Sequence, residues 1–174
     1  DTYERSVAGE FGPEIAYALT RTSSFREEYK RSVLRAVEAA VEDRETLLDA
    51  VESEVESVER ARSRLDPIRG EIEAIADELG GDDAEAASAG FGALDACRTR
   101  AEALVEDCDR IAARRQRALA DHERRLAIGD EVDFATYCYQ DLDVSYPVLA
   151  AVGAVGDRLE RLRGRIERAM ARTR

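Results

Sequence analysis

Residues 48–79 read LDAVESEVESVERARSRLDPIRGEIEAIADEL, and the spacing of their apolar side chains decides the fold class. Leu48, Val51, Val55, Val58, Leu65, Ile68, Ile72, Ile75 and Leu79 step mostly by three and four, the interval that returns to one face of a helix. Upstream, Val33, Val37 and Val41 continue the stripe, with Arg44 and Arg62 filling two of its positions. The spacing predicts one helix over 25–79 carrying a heptad seam. Asp66-Pro67 falls inside it. Proline deletes one backbone bond and crowds the preceding turn, but the register holds across it, so one kinked helix is expected. At about 1.5 Å per residue such a helix spans on the order of 80 Å.

Working outward, Gly80-Gly81-Asp82-Asp83 stops this helix, and the turn is expected to extend to Gly90. A second stripe follows: Leu94, Cys97, Ala101, Leu104, Cys108, Ile111, Leu119, His122 and Leu126. It predicts a helix over 91–128 that ends at Gly129-Asp130. The stretch from Asp133 to Tyr146 holds Phe134, Tyr137, Tyr139 and Tyr146 and reads as one short helical turn and a packed loop. Pro147 suits a first helical position, and Val148, Val152, Val155, Leu159, Leu162, Ile166 and Met170 make a third stripe over 147–173. Toward the N-terminus, Gly12-Pro13 reads as a cap and first turn, with Ile15, Ala16 and Leu19 on one face of a short helix over 13–21. Thr22-Ser23-Ser24 then breaks the chain, and Ser24 with Glu27 resembles a capping box.

Three long helices separated by glycines fold most simply as an all-α, elongated, antiparallel three-helix coiled-coil-like bundle. It is expected to form a single domain over 1–174, with the short N-terminal helix and an aromatic-rich loop or short helix before the last one. The helix lengths are unequal. One end of the longest must then be covered by the N-terminal helix, the aromatic loop or another chain.

Charge sets the habitat. Thirty-eight acidic residues outnumber 26 basic ones, a formal −12, and Lys30 is the sole lysine. Carboxylates stay hydrated where salt screens charge, the Debye length being about 3 Å at 1 M. Scarce lysine and the lack of any asparagine also suit a GC-rich genome. An extreme halophile is the expectation, with a GC-rich mesophile the plainer reading. No run of 18 apolar residues is present, so no membrane span is expected. The chain opens at Asp1 without Met, which predicts a fragment of a longer chain. Cys97 and Cys108 lie eleven residues apart on one helix, roughly 16 Å along it. A disulfide needs Cα atoms within about 7 Å, so with Cys138 they read as small buried hydrophobes of a reducing cytoplasm.

Two stretches carry a resemblance. Glu10-Phe-Gly-Pro-Glu-Ile-Ala16 leading toward Lys30-Arg-Ser-Val-Leu34, and Tyr139-Gln-Asp-Leu-Asp-Val-Ser-Tyr-Pro-Val-Leu149, resemble an uncharacterised family of haloarchaeal helical proteins. Cys108 and Arg114-Arg-Gln116 fit the same pattern. The resemblance covers nearly the whole chain. It implies a further N-terminal helix that this chain lacks, and the Val7–Glu10 segment is shorter than the family pattern. It implies fold and habitat and brings no activity.

Chemistry is sparse. His122 is the sole histidine, and no Cys or His pair has zinc-ligand spacing, so neither a metal nor any cofactor is expected. One histidine cannot supply the two Glu-x-x-His motifs of a di-iron bundle. With no nucleophile elbow and no phosphate loop, an enzyme and a small-molecule substrate are not expected. From Gly156 to Arg174 seven Arg meet three acids, and Arg110, Arg114, Arg115, Arg117, Arg124 and Arg125 form a second basic stretch. Phosphate contacts weaken steeply with salt, so pairing of these arginines with acids of the longest helix is favoured over nucleic-acid binding.

The expected function is a protein-interaction or scaffolding module, self-associating or docking a protein partner. Its candidate residues are Phe134, Tyr137, Tyr139 and Tyr146, followed by Arg161, Arg165, Arg168 and Arg172. The alternative is a nucleic-acid-associated regulator using the Arg-rich last helix.

Overall fold

The computed structural model describes residues 2–21, 26–81, 86, 88–126 and 133–173. Every regular element among them is an α-helix: α1 Thr2–Phe11, α2 Pro13–Arg21, α3 Glu27–Glu78, α4 Phe91–Arg125, α5 Phe134–Tyr139 and α6 Pro147–Arg172. The expected break at Thr22-Ser23-Ser24, the Ser24 cap, the Asp82-Asp83 turn and the stop at Gly129-Asp130 lie outside the described residues. The chain divides into two compact units, 1–51 and 52–174. Helix α3 belongs to both, since its backbone bonds are local and run through the boundary.

In the first unit α1 and α2 pack on one another. The helix over Thr2–Phe11 is absent from the sequence expectation, because only Val7 of its ten residues is buried and no apolar period marks it. Gly12 has φ +87°, a left-handed conformation that glycine adopts without steric cost, and its N–H donates to Ala8 O at 3.0 Å. Pro13 then opens α2 at its first position. The inward face of α2 is Ala16 and Ala18, whereas Leu19, expected inside, is exposed. Arg21 pairs with Glu4 at 2.9 Å, and Arg44 of α3 pairs with Glu10 of α1.

The second unit holds the main core, drawn from α3, α4 and α6. Ile75, Leu79, Leu94, Leu159 and Ile166 are the largest fully buried side chains, each worth about 1.5–3 kcal/mol in transfer free energy. All the stripe residues of α6 from Val148 to Ile166 are buried, and Met170 packs partly against the cluster. Pro67 sits inside α3 on its exposed side, between buried Leu65 and Ile68. Ser63, whose carbonyl loses its donor there, is an exposed residue, and the helix continues through the proline. Gly80, with φ +78°, ends α3, and Arg165 donates to its carbonyl at 2.9 Å.

Before Leu65 the helix departs from the expected stripe. Ala50, Glu54 and Ala61 are buried, while Val55 is exposed and Val51 and Val58 are half-buried. Two rows run side by side here, one residue apart, and merge at Leu65. The small and polar row is the inward one, and the valine row is turned about 100° away.

Candidate functional site

Glu54 is the centre of a buried polar cluster in the second unit. Three elements bring its members together. Glu54 and Ser57 lie one turn apart on α3, Arg115 and His122 lie two turns apart on α4, and Tyr139 ends α5. Arg115 donates through Nη1 to Glu54 Oε2 at 2.6 Å and through Nη2 to Oε1, a two-pronged pair. The Tyr139 hydroxyl donates to the same Oε1. Arg115 Nη1 also donates to Ser57 Oγ at 3.1 Å. His122 Nδ1 stands 3.5 Å from Glu54 Oε2, inside ion-pair range, with no hydrogen-bond partner among the described residues. Exposure is 5% for Glu54 and 2% each for Arg115 and His122.

Short α5 is held at both ends. Asp133 caps it by accepting from Thr136 N at 3.2 Å. Phe134 turns its ring edge-to-face onto His122, with centroids 5.0 Å apart and planes at 69°. Tyr139 closes the other end on Glu54.

The charges settle one another. Burial pushes the Glu54 carboxyl up, but the Arg115 and Tyr139 hydrogen bonds and the Arg115 charge, with His122 adding to them once it is protonated, outweigh it and leave it below its ordinary value. Burial favours loss of the Arg115 proton, and the bond and charge of Glu54 reverse that. Burial holds His122 below its ordinary value, with Glu54 opposing and Arg115 adding to the depression. The Tyr139 hydroxyl is driven up, first by burial and then by Glu54. The result is an ionised Glu54–Arg115 pair with a neutral imidazole beside it. A carboxylate already holding three donors and closed from water ties α3, α4 and α5 together.

The residues singled out from the sequence fall in different places. Phe134 is buried and Tyr139 is turned inward, so both serve the cluster rather than the surface. Tyr137 and Tyr146 are exposed, as are Leu142 and Val144 between them. Arg161, Arg168 and Arg172 are exposed on α6, and Arg165 is half-buried against Gly80. Arg161, Arg165 and Arg168 line a shallow hollow together with Asp157 and Glu160. Several other arginines reach acids of α3: Arg100 bridges Glu71 and Glu78 at 2.7 Å each, and Arg158 meets Glu73 at 3.3 Å.

Sequence reasoning missed Glu54 and passed over Arg115. A signal for Arg115 was present. The second stripe jumps eight residues from Ile111 to Leu119, and Arg115 is the position that fills the gap. His122, three residues beyond Leu119, completes the row and is buried.

A second feature lies between α3 and α6. A groove of about 470 Å3 is lined by Val58, Leu65, Pro147, Val148, Ala151 and Val155. Arg62, Asp66, Arg69 and Arg158 stand on it as well, three cations against one acid. It begins at Pro147, directly after exposed Tyr146.

Among the described residues no group of three or more His, Cys, Asp or Glu side chains is placed to hold a metal ion. Nor is any helix among them long and apolar enough to cross a membrane. All three cysteines are free.

These features define an all-α protein with a locked polar cluster in an otherwise apolar core. The chain belongs to the family described as a domain of unknown function (DUF7260), which matches residues 1–163. That description carries no activity. No curated protein and no solved structure matches the chain.

Proposed function

We propose that this chain is a non-enzymatic interaction module that receives an amphipathic helix of a protein partner in the groove between α3 and α6. The observation that carries the reading is the groove itself. Its walls are largely apolar, and they include Pro147, the residue next in sequence to exposed Tyr146. Apolar anchors of an incoming helix would fill it, and carboxylates on that helix's flank would meet Arg62, Arg69 and Arg158. The cluster at Glu54 supports this role by holding α5, from which the exposed segment 140–146 departs.

An antiparallel three-helix arrangement of α3, α4 and α6 belongs to the same proposal. Arg100 pairs with Glu71 and Glu78 while Arg115 pairs with Glu54, so α4 numbering falls as α3 numbering rises. Arg158 meets Glu73 and Arg165 meets Gly80, so α6 runs along with α3. The formal charge of −12 supports placement in a salt-rich cytoplasm, where apolar burial strengthens as charge contacts fade.

The test is affinity capture with tagged chain from its source extract at molar KCl, with and without nuclease, beside an Ala151→Arg, Ala154→Arg variant. Both alanines are exposed on the groove, so arginine fills it without entering the core. A protein captured by the native chain and lost with the variant supports the module. Capture that ignores the variant overturns the groove as the site. Recovery abolished by nuclease favours the alternative, phosphate contact through Arg161, Arg165 and Arg168, against which Asp157 and Glu160 in the same hollow already speak.

A further inference from the structure

We infer that the seam between α3 and α4 is an oxyanion site, selective for a phosphate group. A hollow of about 240 Å3 opens there, lined by Ser57, Arg60, Arg64, Arg114 and Arg115 with small apolar residues between them. No carboxylate lines it. Four guanidinium groups around one cavity stand out in a chain whose formal charge is −12.

The arginines are not equally committed. Arg115 is spent on Glu54, and Arg60 pairs with Glu56 at 2.9 Å. Arg64, on α3, and Arg114, on α4, make no ion pair among the described residues, and neither has an acid three or four residues away on its own helix. Both also line the adjoining hollow of about 550 Å3, where Glu71 and Asp107 already serve Arg100 and Arg110. Two unneutralised guanidinium groups from different helices on one seam repel, and a bound anion relieves that repulsion. Ser57 Oγ accepts from Arg115 at 3.1 Å, and its hydroxyl can in turn donate.

The cavity therefore offers donors and almost no free acceptor. That composition selects an oxyanion over a neutral or cationic ligand. The planar guanidinium fork matches the edge of a tetrahedral oxyanion, and the dianionic phosphate gains more from two such forks than a monoanion does. None of these groups belongs to the apolar groove between α3 and α6, so this site stands whether or not that groove binds a helix.

The experiment is calorimetric titration of the whole chain with inorganic phosphate, in the lowest chloride concentration that keeps it folded. Saturable binding is expected, weakened roughly tenfold or more in an Arg64→Gln, Arg114→Gln variant through loss of two charge-assisted contacts. Because both side chains are exposed, the variant should keep its helical circular dichroism. If it does not, single Arg114→Gln carries the same comparison. An Arg161→Gln, Arg168→Gln variant should bind phosphate as the native chain does. No binding by the native chain, binding unchanged without Arg64 and Arg114, or equal weakening in the α6 variant would each overturn the site.

Discussion

Glu54 receives both terminal nitrogens of Arg115 in the interior of the second unit, where both side chains are buried. Removing one partner strands the other charge. Glu54→Leu or Arg115→Met alone should each cost about 3–5 kcal/mol, and the double variant should regain most of that loss. Urea unfolding of the four species in a double-mutant cycle measures the coupling.

Acid should weaken the fold in two steps. The imidazole of His122 has its folded pKa lowered from 6.5, so the unfolded chain takes a proton first. Its contribution is complete above 6.5 and declines as pH falls below that value. The Glu54 carboxyl is likewise lowered from 4.5, so its contribution is complete above 4.5 and is lost as pH falls further. Thermal melts across pH 7 to 3 should show both declines. A His122→Phe variant should flatten the upper one, and Glu54→Gln the lower one.

Tyr139→Phe deletes the hydroxyl that donates to Glu54 and changes nothing else in shape. A hydrogen bond to a charged group contributes about 1.5–3 kcal/mol, so a loss in that range is expected by urea unfolding. Because Tyr139 ends α5, amide exchange over Phe134–Tyr139 should speed up more than over α6. Equal acceleration in both helices would show that Tyr139 does not hold α5 in particular.

The thiols should react in order of burial. Burial raises the pKa of Cys97, Cys108 and Cys138 above the ordinary 9.0, and Glu78 or neighbouring Asp residues add to this for the first two. For Cys138 the Glu54 charge adds to burial. All three are therefore poor thiolates at neutral pH. Cys138 is half-buried while the other two are buried, so a disulfide reagent should label Cys138 first and reach Cys97 and Cys108 only on unfolding.

How much of this was written in the sequence differs helix by helix. The α6 stripe was readable because each core position carries a branched apolar side chain and its neighbours are Ala, Gly or charged. Helix α1 was not, since its packing on α2 needs little more than Val7. The polar cluster was half readable: His122 lay on a stripe and Arg115 in its gap. Glu54 was hidden, because a carboxylate among many carboxylates gives no sign of facing inward. Tyr139 was noted for its ring, but the contact that decides its place is made by its hydroxyl. Val55 drew the stripe toward a row that is exposed there, since hydrophobicity counts side chains without knowing which row the other helices cover.

That misreading yields the sharpest contrast. Val55 and Ile75 stood on the same expected stripe of α3, yet Val55 is 52% exposed and Ile75 is fully buried. Val55→Ser should therefore change stability by no more than about 0.5 kcal/mol, the usual range for a surface position. Ile75→Ala should cost about 2–5 kcal/mol, since it removes transfer free energy and leaves a cavity among α3, α4 and α6. Ala61→Val adds two methyl groups to the inward row and should destabilise by about 1–3 kcal/mol through overpacking. Paired urea titrations of these three variants decide which row is inside. A costly Val55→Ser beside a harmless Ala61→Val would put the valine row in the core and move Glu54 out of it.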